Sequence, residues 1–283
     1  MNPLEPHLPL GEWVDTFLIW FQQHFDWLLS AITDVLSSMY SGLNWVLETP
    51  HPFIMILIFA AIAWAAATWR LGLVTVIGFY LILALGQWEN AMSTFALVIV
   101  AVIFALLISL PIGVWAAKSR VVSTIVRPIL DFMQSMPALA YLVPAIVMFS
   151  VGQVPGAIAT IIFALPPGVR FTELAIRQVD GEVVEAAQAF GATPSHILFK
   201  VQLPLALKTI MAGINQVIML ALSMVVLAGM AGAEGLGGAV IGAISQLDVA
   251  IGVDAGVAVV VLAIFLDRVT AALGSRNSEH TTV

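Results

Sequence analysis

Residues 91–117 run without a single charged side chain. As a helix, at 1.5 Å of rise per residue, that stretch reaches about 40 Å. The hydrocarbon core of a bilayer is roughly 30 Å thick. A backbone inside lipid must satisfy its own hydrogen bonds, so it crosses as a helix or within a closed barrel. Apolar runs near twenty residues, rather than alternating ten-residue segments, select the helix. Further apolar runs at residues 52–69, 71–86, 135–150, 157–169, 205–230 and 248–266 extend the pattern. The predicted fold is therefore all-α, a polytopic transmembrane bundle of about seven spans. Composition agrees. Only 10% of the residues are charged, against roughly 25% in soluble domains.

Charge then orients the bundle. With seven spans, Arg70, Lys118, Arg120, Arg127, Arg170, Arg177, Lys200, Lys208, Arg268 and Arg276 all fall on one side, and these are all the Lys and Arg in the chain. Residues 1–51, 87–90, 151–156 and 231–247 fall on the other side and carry none. Basic loops stay in the cytoplasm, so the N-terminus is expected outside and the C-terminus inside. This count needs residues 52–86 to form two spans. One long span would flip the N-terminal region inward and bury Arg70.

The first fifty residues differ from the rest. Pro3, Pro6 and Pro9 keep the start irregular. No basic residue precedes a short apolar core, so a secretory signal peptide is not expected. From Trp13 to Val46, apolar positions recur at three- and four-residue steps with Asp15, Asp26 and Asp34 between them. This predicts an amphipathic interfacial helix or a broken pair, with Gly42 as the candidate break. The alternative, an additional span, would bury those three aspartates. The expected organisation is an extracytoplasmic region (1–50), a peripheral hairpin (51–90), a transmembrane domain (91–270) and a cytoplasmic tail (271–283).

Chemistry is sparse. No Gly-rich loop leads into Gly-Lys-Ser or Gly-Lys-Thr, so no phosphate cradle is present. His7, His24, His51, His196 and His280 have no metal-ligand spacing. There is no cysteine, which excludes disulfides and thiolate metal sites. No basic cluster suits a nucleic-acid backbone. Asp and Glu avoid the depths of the expected spans, and Asp254 comes nearest to an exception. The proton or ion relay of a secondary carrier is thus missing. The chain can form a pathway but shows no energy source of its own, and a partner that hydrolyses ATP fits that gap. No catalytic, metal or cofactor residue is expected.

The most informative polar interval lies at residues 178–204. Glu182 to Phe190 is rich in helix formers, and Ala186, Ala187 and Ala189 offer a smooth packing face. Gly191 permits the positive φ that ends a helix. Thr193 and Pro194 suit an N-cap and first turn. Pro204 marks the expected re-entry into the membrane. Elsewhere Pro111, Pro137, Pro144, Pro166 and Pro167 predict bends, with the span at 157–169 ending at Pro166-Pro167-Gly168. Gly229, Gly232, Glu234, Gly235, Gly237 and Gly238 read either as close packing or as an outer gate. Tyr141, Phe149 and Phe163 are candidate pathway-lining aromatics, against the alternative of ordinary packing.

Glu185-Ala186-Ala187, then Gly191, then Leu203-Pro204 resembles the EAA loop of the membrane subunits of bacterial ABC importers. From about residue 91 to 270 the chain looks like a type I ABC importer membrane domain. Longer blocks narrow the likeness: Ser135-Met136-Pro137-Ala138, Gly152-Gln153-Val154-Pro155-Gly156, Thr160 to Pro167, Phe199 to Ala206 and Met219 to Val226. These resemble the permease family of glycine betaine/proline betaine uptake systems. The resemblance implies that Glu185, Ala186, Ala187, Gly191, Leu203 and Pro204 couple to an ATPase. It implies two permease copies, two cytoplasmic ABC ATPase subunits that bind ATP and Mg, and an extracytoplasmic substrate-binding protein. Glu234 and Asp248, which flank the Gly-rich stretch, read either as contacts for that binding protein or as solvated loop acids. Substrates would be quaternary-ammonium compatible solutes, recognised by cation–π contacts in the binding protein. Choline, carnitine and other small zwitterions stay open within the class, and a secondary carrier stays open outside it.

Overall fold

The computed structural model describes residues 9–279, with side chains described to residue 274. Pro3, Pro6, His7 and His280, and the side chain of Arg276, lie outside the described residues. Among the described residues the chain is helical, with no strand.

The N-terminal region forms α1 (Leu10–His24) and α2 (Asp26–Glu48). The broken-pair reading holds, but the break falls at Phe25 and not at Gly42, through which α2 runs unbroken. Leu36, Tyr40 and Leu47 of α2 are buried in the main core, so one edge of this helix is packed protein. Helix α3 (Pro52–Ala66) follows, and α2 and α3 meet at a bend of 103°. Next come α4 (Trp69–Ala84) and the long α5 (Trp88–Lys118). The α3–α4 hairpin attaches to the bundle by aromatic edges. Phe59, Phe79, Phe95 and Phe265 form mutual contacts with ring centroids 4.7 to 6.0 Å apart, the offset and edge-on range such rings prefer.

Residues 120–150 form two helices sharply bent against each other. Helix α6 (Arg120–Ser135) and the segment Ala138–Phe149, which ends in α7 (Leu142–Phe149), meet at 109°. Pro137 lies between them and its φ of −57° and ψ of 138° stop helical continuation. Helix α8 (Gln153–Arg177) corrects a second expectation: it passes straight through Pro166 and Pro167. Two prolines remove two backbone bonds. Both are buried, where packing against α5 and the later long helix holds the geometry, as membrane bundles allow.

The polar interval gives α9 (Gly181–Ala189) and α10 (Pro194–Ile197). A π-helical segment, Leu198–Gln202, joins α10 to α11 (Leu203–Ala228). Pro194–Ala231 is one continuous helical stretch of 38 residues. Pro204 therefore sits in its first turn after the π segment rather than at a break. The Gly-rich stretch contains α12 (Leu236–Gln246). Helix α13 (Val249–Glu279) ends the described chain.

Helix α8 lies between α5 and α11 and makes the most extensive contacts of the molecule with both; α13 packs on α11 and α12. Small residues set the closest approaches, as is common in membrane bundles. A Cβ on Gly113 of α5 would lie 2.8 Å from the Val169 carbonyl of α8. One on Gly156 of α8 would lie 2.8 Å from Ala228 of α11. Among the described residues, four helical stretches are long and apolar enough to cross a membrane, and six if each bent pair counts as one span. A seventh span requires α4, which has 16 residues and a length of about 24 Å.

Candidate functional site

The termini of the long helices gather the basic residues at one end of the bundle. Lys118 ends α5, Arg177 ends α8, and Arg268 stands in the second half of α13. Lys118 donates to the Gln202 side chain, tying α5 to the π segment. The tightest cluster surrounds Glu173. Its carboxylate accepts from Ser123 Oγ at 2.7 Å, from Arg127 Nη2 at 2.9 Å and from Arg177 Nε at 3.0 Å. Glu173 is 4% exposed. Arg177 Nη2 also donates to the Ala116 carbonyl at 2.8 Å, and Arg170 pairs with Asp131. Helices α5, α6 and α8 are thereby locked together at this end. A buried carboxylate is tolerable because charged donors satisfy it.

This cluster was not expected from the sequence, because α8 was expected to stop at Pro166-Pro167-Gly168. Glu173 then fell in a solvated loop. The available signal was the Glu173–Arg177 pair at helical i,i+4 spacing, with Arg170 three positions before Glu173.

On this locked base stands the 178–204 interval. Asp180 caps α9 by accepting from Glu182 N at 2.9 Å. The helix closes at Gly191, where φ is +80°. Gly191 N donates to Gln188 O at 2.9 Å, and Ala192 N to Ala187 O at 3.1 Å. That pair of bonds is a Schellman turn. Thr193 then accepts from His196 N at 3.3 Å, capping α10 as its spacing predicts. Below the turn, Ile197 is buried. Leu198 and Leu203 pack on a small core of Ala175, Ile176, Ala206 and Ile210, which joins the interval to α8 and α11.

The structure brings most of the expected coupling residues to one short, exposed knob. Glu185, Ala186 and Gly191 are exposed and Ala187 is half-buried. Leu203 sits beneath them as an anchor, and Pro204 is exposed beside it. Phe190 caps the knob and is 94% exposed, with Phe199 also outward.

The opposite end holds the glycines. Gly229, the C-cap of α11, touches the backbone of Gly237, and a Cβ on Gly237 would lie 2.7 Å from the Val225 and Val226 carbonyl oxygens. Gly238 would meet the Ala233 carbonyl at 3.0 Å. Gly232 and Gly235 have φ of +81° and +99°. The buried Thr94 of α5 accepts from Leu236 N at 2.8 Å, pinning the start of α12. Glu234 is exposed. Thr94 is a second residue that sequence reasoning missed, since nothing local marks a threonine whose partner lies 142 positions away. The aromatic set divides. Tyr141 and Phe163 meet with ring centroids 6.3 Å apart, and the Tyr141 hydroxyl donates to the Met133 carbonyl. Phe149 stands apart, lining an apolar recess with Phe21, Leu28 and Phe104.

Residues 109–279 match the family model described as binding-protein-dependent transport system inner membrane component. The chain is 48% identical over 265 residues to the glycine betaine transport system permease protein OpuAB of Bacillus subtilis (strain 168), covering 94% of each chain. It is 45% identical over 277 residues to the glycine betaine/proline betaine transport system permease protein ProW of Escherichia coli (strain K12), covering 96% of this chain and 78% of the relative. It is also 45% identical over 279 residues to the glycine betaine/carnitine transport permease protein GbuB of Listeria monocytogenes serotype 1/2a (strain 10403S), covering 97% and 98%. Among solved structures, the inward-facing MetNI methionine ABC transporter superposes with a TM-score of 0.58 at 25% identity, covering 70% of this chain and 96% of that one.

Proposed function

Because the chain belongs to the family of binding-protein-dependent transport system inner membrane components, we propose that it carries glycine betaine and related quaternary-ammonium solutes into the cell, driven by ATP hydrolysis in a partner subunit. The chain is a multi-pass permease subunit of an ABC importer, and it is not itself an enzyme. Its working partners are an ATPase, a substrate-binding protein and the membrane.

The exposed knob carries the reading of mechanism. A short helix ending in a Schellman turn, topped by a bare Phe190 and clamped to three long helices, suits the transmission of force. In this reading Glu185, Ala186, Ala187 and Gly191 seat in a groove of the ATPase, while Leu203 and Pro204 pass its motion to α11. Two ATPase subunits bind ATP and Mg and close on each other. Two permease copies follow, and the pathway opens outward to a loaded binding protein. Hydrolysis resets it inward. This chain binds no cofactor. The basic end then faces the cytoplasm, as do the C-terminal residues, and the N-terminal region faces outward.

At the outer end we assign the gate to Gly229, Gly232, Glu234, Gly235, Gly237 and Gly238. Their close backbone contacts give a gate of packed helix ends that slide, rather than a floppy loop. We keep Tyr141 and Phe163, whose rings meet, as candidate lining of the solute pathway, and set aside Phe149, which faces the separate apolar recess. Carnitine is the second substrate reading, favoured by the likeness to a relative named for both solutes.

The test is ATPase activity of the reconstituted complex with binding protein that is empty or loaded with glycine betaine. Stimulation by the loaded form supports transport mechanism and substrate together. Stimulation only by carnitine or choline keeps the mechanism and changes the substrate. The absence of any co-purifying ATPase would overturn the importer reading and revive a secondary carrier.

A further inference from the structure

Between α4 and α13, away from the coupling knob, a recess of about 470 Å³ opens at the basic end of the bundle. Two cations line it, Arg70 at the start of α4 and Arg268 of α13. Leu71 and Val74 also line it, and the same two residues line a second recess of about 200 Å³. That second recess is apolar and is walled by Gly78, Val261 and Phe265. The two share the Leu71 and Val74 wall, the first giving the cleft a cationic mouth and the second an apolar throat. Helices α4 and α13 run in opposite directions here, since Arg70 opens α4 and Arg268 stands late in α13 while Gly78 meets Val261. From Arg70 to Gly78 the throat extends about 12 Å along α4, toward the middle of the membrane.

The cations are poorly compensated. Among the described residues Arg70 makes no ion pair; its guanidinium lies 6.0 Å from the exposed Trp69 ring instead. Arg268 Nε stands 3.9 Å from the Asp267 carboxylate. The other oxygen of that carboxylate already accepts from Asn215 Nδ2 at 3.0 Å. Among the described residues, no carboxylate lines either recess. An exposed tryptophan beside the mouth suits the headgroup level of a bilayer. A basic pocket between membrane helices, opening into an apolar groove, matches the chemistry of an anionic phospholipid. We propose that the α4–α13 cleft is a binding site for one anionic phospholipid, with its phosphate between Arg70 and Arg268 and one acyl chain along Leu71, Val74 and Gly78.

The full-length permease is placed in nanodiscs of phosphatidylcholine with one-fifth phosphatidylglycerol, extracted in mild detergent, washed, and its retained lipid quantified by mass spectrometry. The wild type is expected to retain phosphatidylglycerol at least fivefold above its bulk proportion. Arg70→Gln with Arg268→Gln should bring retention down to the bulk proportion. Val74→Trp, which keeps both charges and fills the throat, should reduce it similarly. Equal retention by wild type and the double variant overturns the site. Loss in the double variant with full retention in Val74→Trp means that the headgroup alone is held by the arginines, and overturns the placement of an acyl chain in the throat. The chain has no cysteine, so Val74→Cys supplies a single thiol. Its oxidation to a disulfide-linked dimer in high yield would put a second copy in the cleft and overturn the lipid as well.

Discussion

Glu173 of α8 accepts a 2.9 Å hydrogen bond from Arg127 of α6, and this ion pair joins two helices separated by 46 positions. Arg127 is largely solvated while Glu173 is buried, so the Coulomb term alone is modest. The larger cost appears when the carboxylate is removed. Ser123, which is also buried, then loses its acceptor. Leaving a buried donor unpaired costs about 1–3 kcal/mol. Glu173→Ala is expected to lower the thermal unfolding midpoint in detergent clearly. Glu173→Gln, which keeps an acceptor for Ser123, should lower it by less. Equal midpoints for wild type and Glu173→Ala would remove the structural role of the cluster.

Gly191 closes α9 with φ of +80°. A Cβ there would meet nothing within 4 Å, so the restriction is conformational and not steric crowding. A non-glycine residue in that region costs about 1–2 kcal/mol, while asparagine tolerates it better. Gly191→Leu is expected to abolish solute uptake while leaving membrane insertion intact, and Gly191→Asn to retain most uptake. Normal uptake by Gly191→Leu would argue against the coupling role of the turn.

Two glycines of the outer end should behave oppositely. Gly229 abuts the Gly237 backbone, whereas a Cβ on Gly242 would find its nearest atom, the Gln246 amide nitrogen, at 3.9 Å. Gly229→Ala forces α11 and α12 apart and should destabilise by about 1–3 kcal/mol. Gly242→Ala, in the middle of α12, should be neutral or stabilise by roughly 0.4–1 kcal/mol. Thermal unfolding of both variants measures the contrast, and equal tolerance would mean that the glycine contact is not tight.

Glu48 accepts from Ser93 Oγ at 3.2 Å, near the start of α5 and far from Lys118 at its other end. A reporter fused at residue 48 is therefore expected on the side opposite the basic loops, with alkaline phosphatase active there. Phosphatase inactivity combined with cytoplasmic reporter activity would overturn the assigned orientation.

Phe190 should act through binding and not through stability, since its ring touches water almost entirely. Phe190→Asp is expected to leave the unfolding midpoint unchanged and to reduce co-purifying ATPase several-fold. Undiminished co-purification would move the partner surface elsewhere on the basic end.

Much of this was legible in the chain because the governing signals are local. Hydropathy over twenty residues locates α5, α11 and α13. The order Gly191, Thr193, Pro194 specifies a helix stop, a cap and a restart within four positions, and the structure forms all three. The gathering of Lys and Arg on one side of the spans reappears as the basic end of the bundle. What failed locally was punctuation. Pro166-Pro167 ends a helix in water, and Gly42 lowers helix propensity, yet α8 and α2 run through both sites. Pro137 lies at a real break, but the resulting 109° bend is set by what each arm packs against.

The sequence by itself determined an all-α membrane protein, the grouping of its charge, and the local turn within residues 178–204, because lipid leaves the backbone few options and a helix stop is written in adjacent residues. Only the tertiary structure decided that Glu173 is buried among arginines, that Thr94 holds the start of α12, and that Arg70 and Arg268 share one cleft. Each of these joins residues far apart in the chain. Their meeting depends on how closely small side chains let helices approach, which no single stretch of sequence encodes.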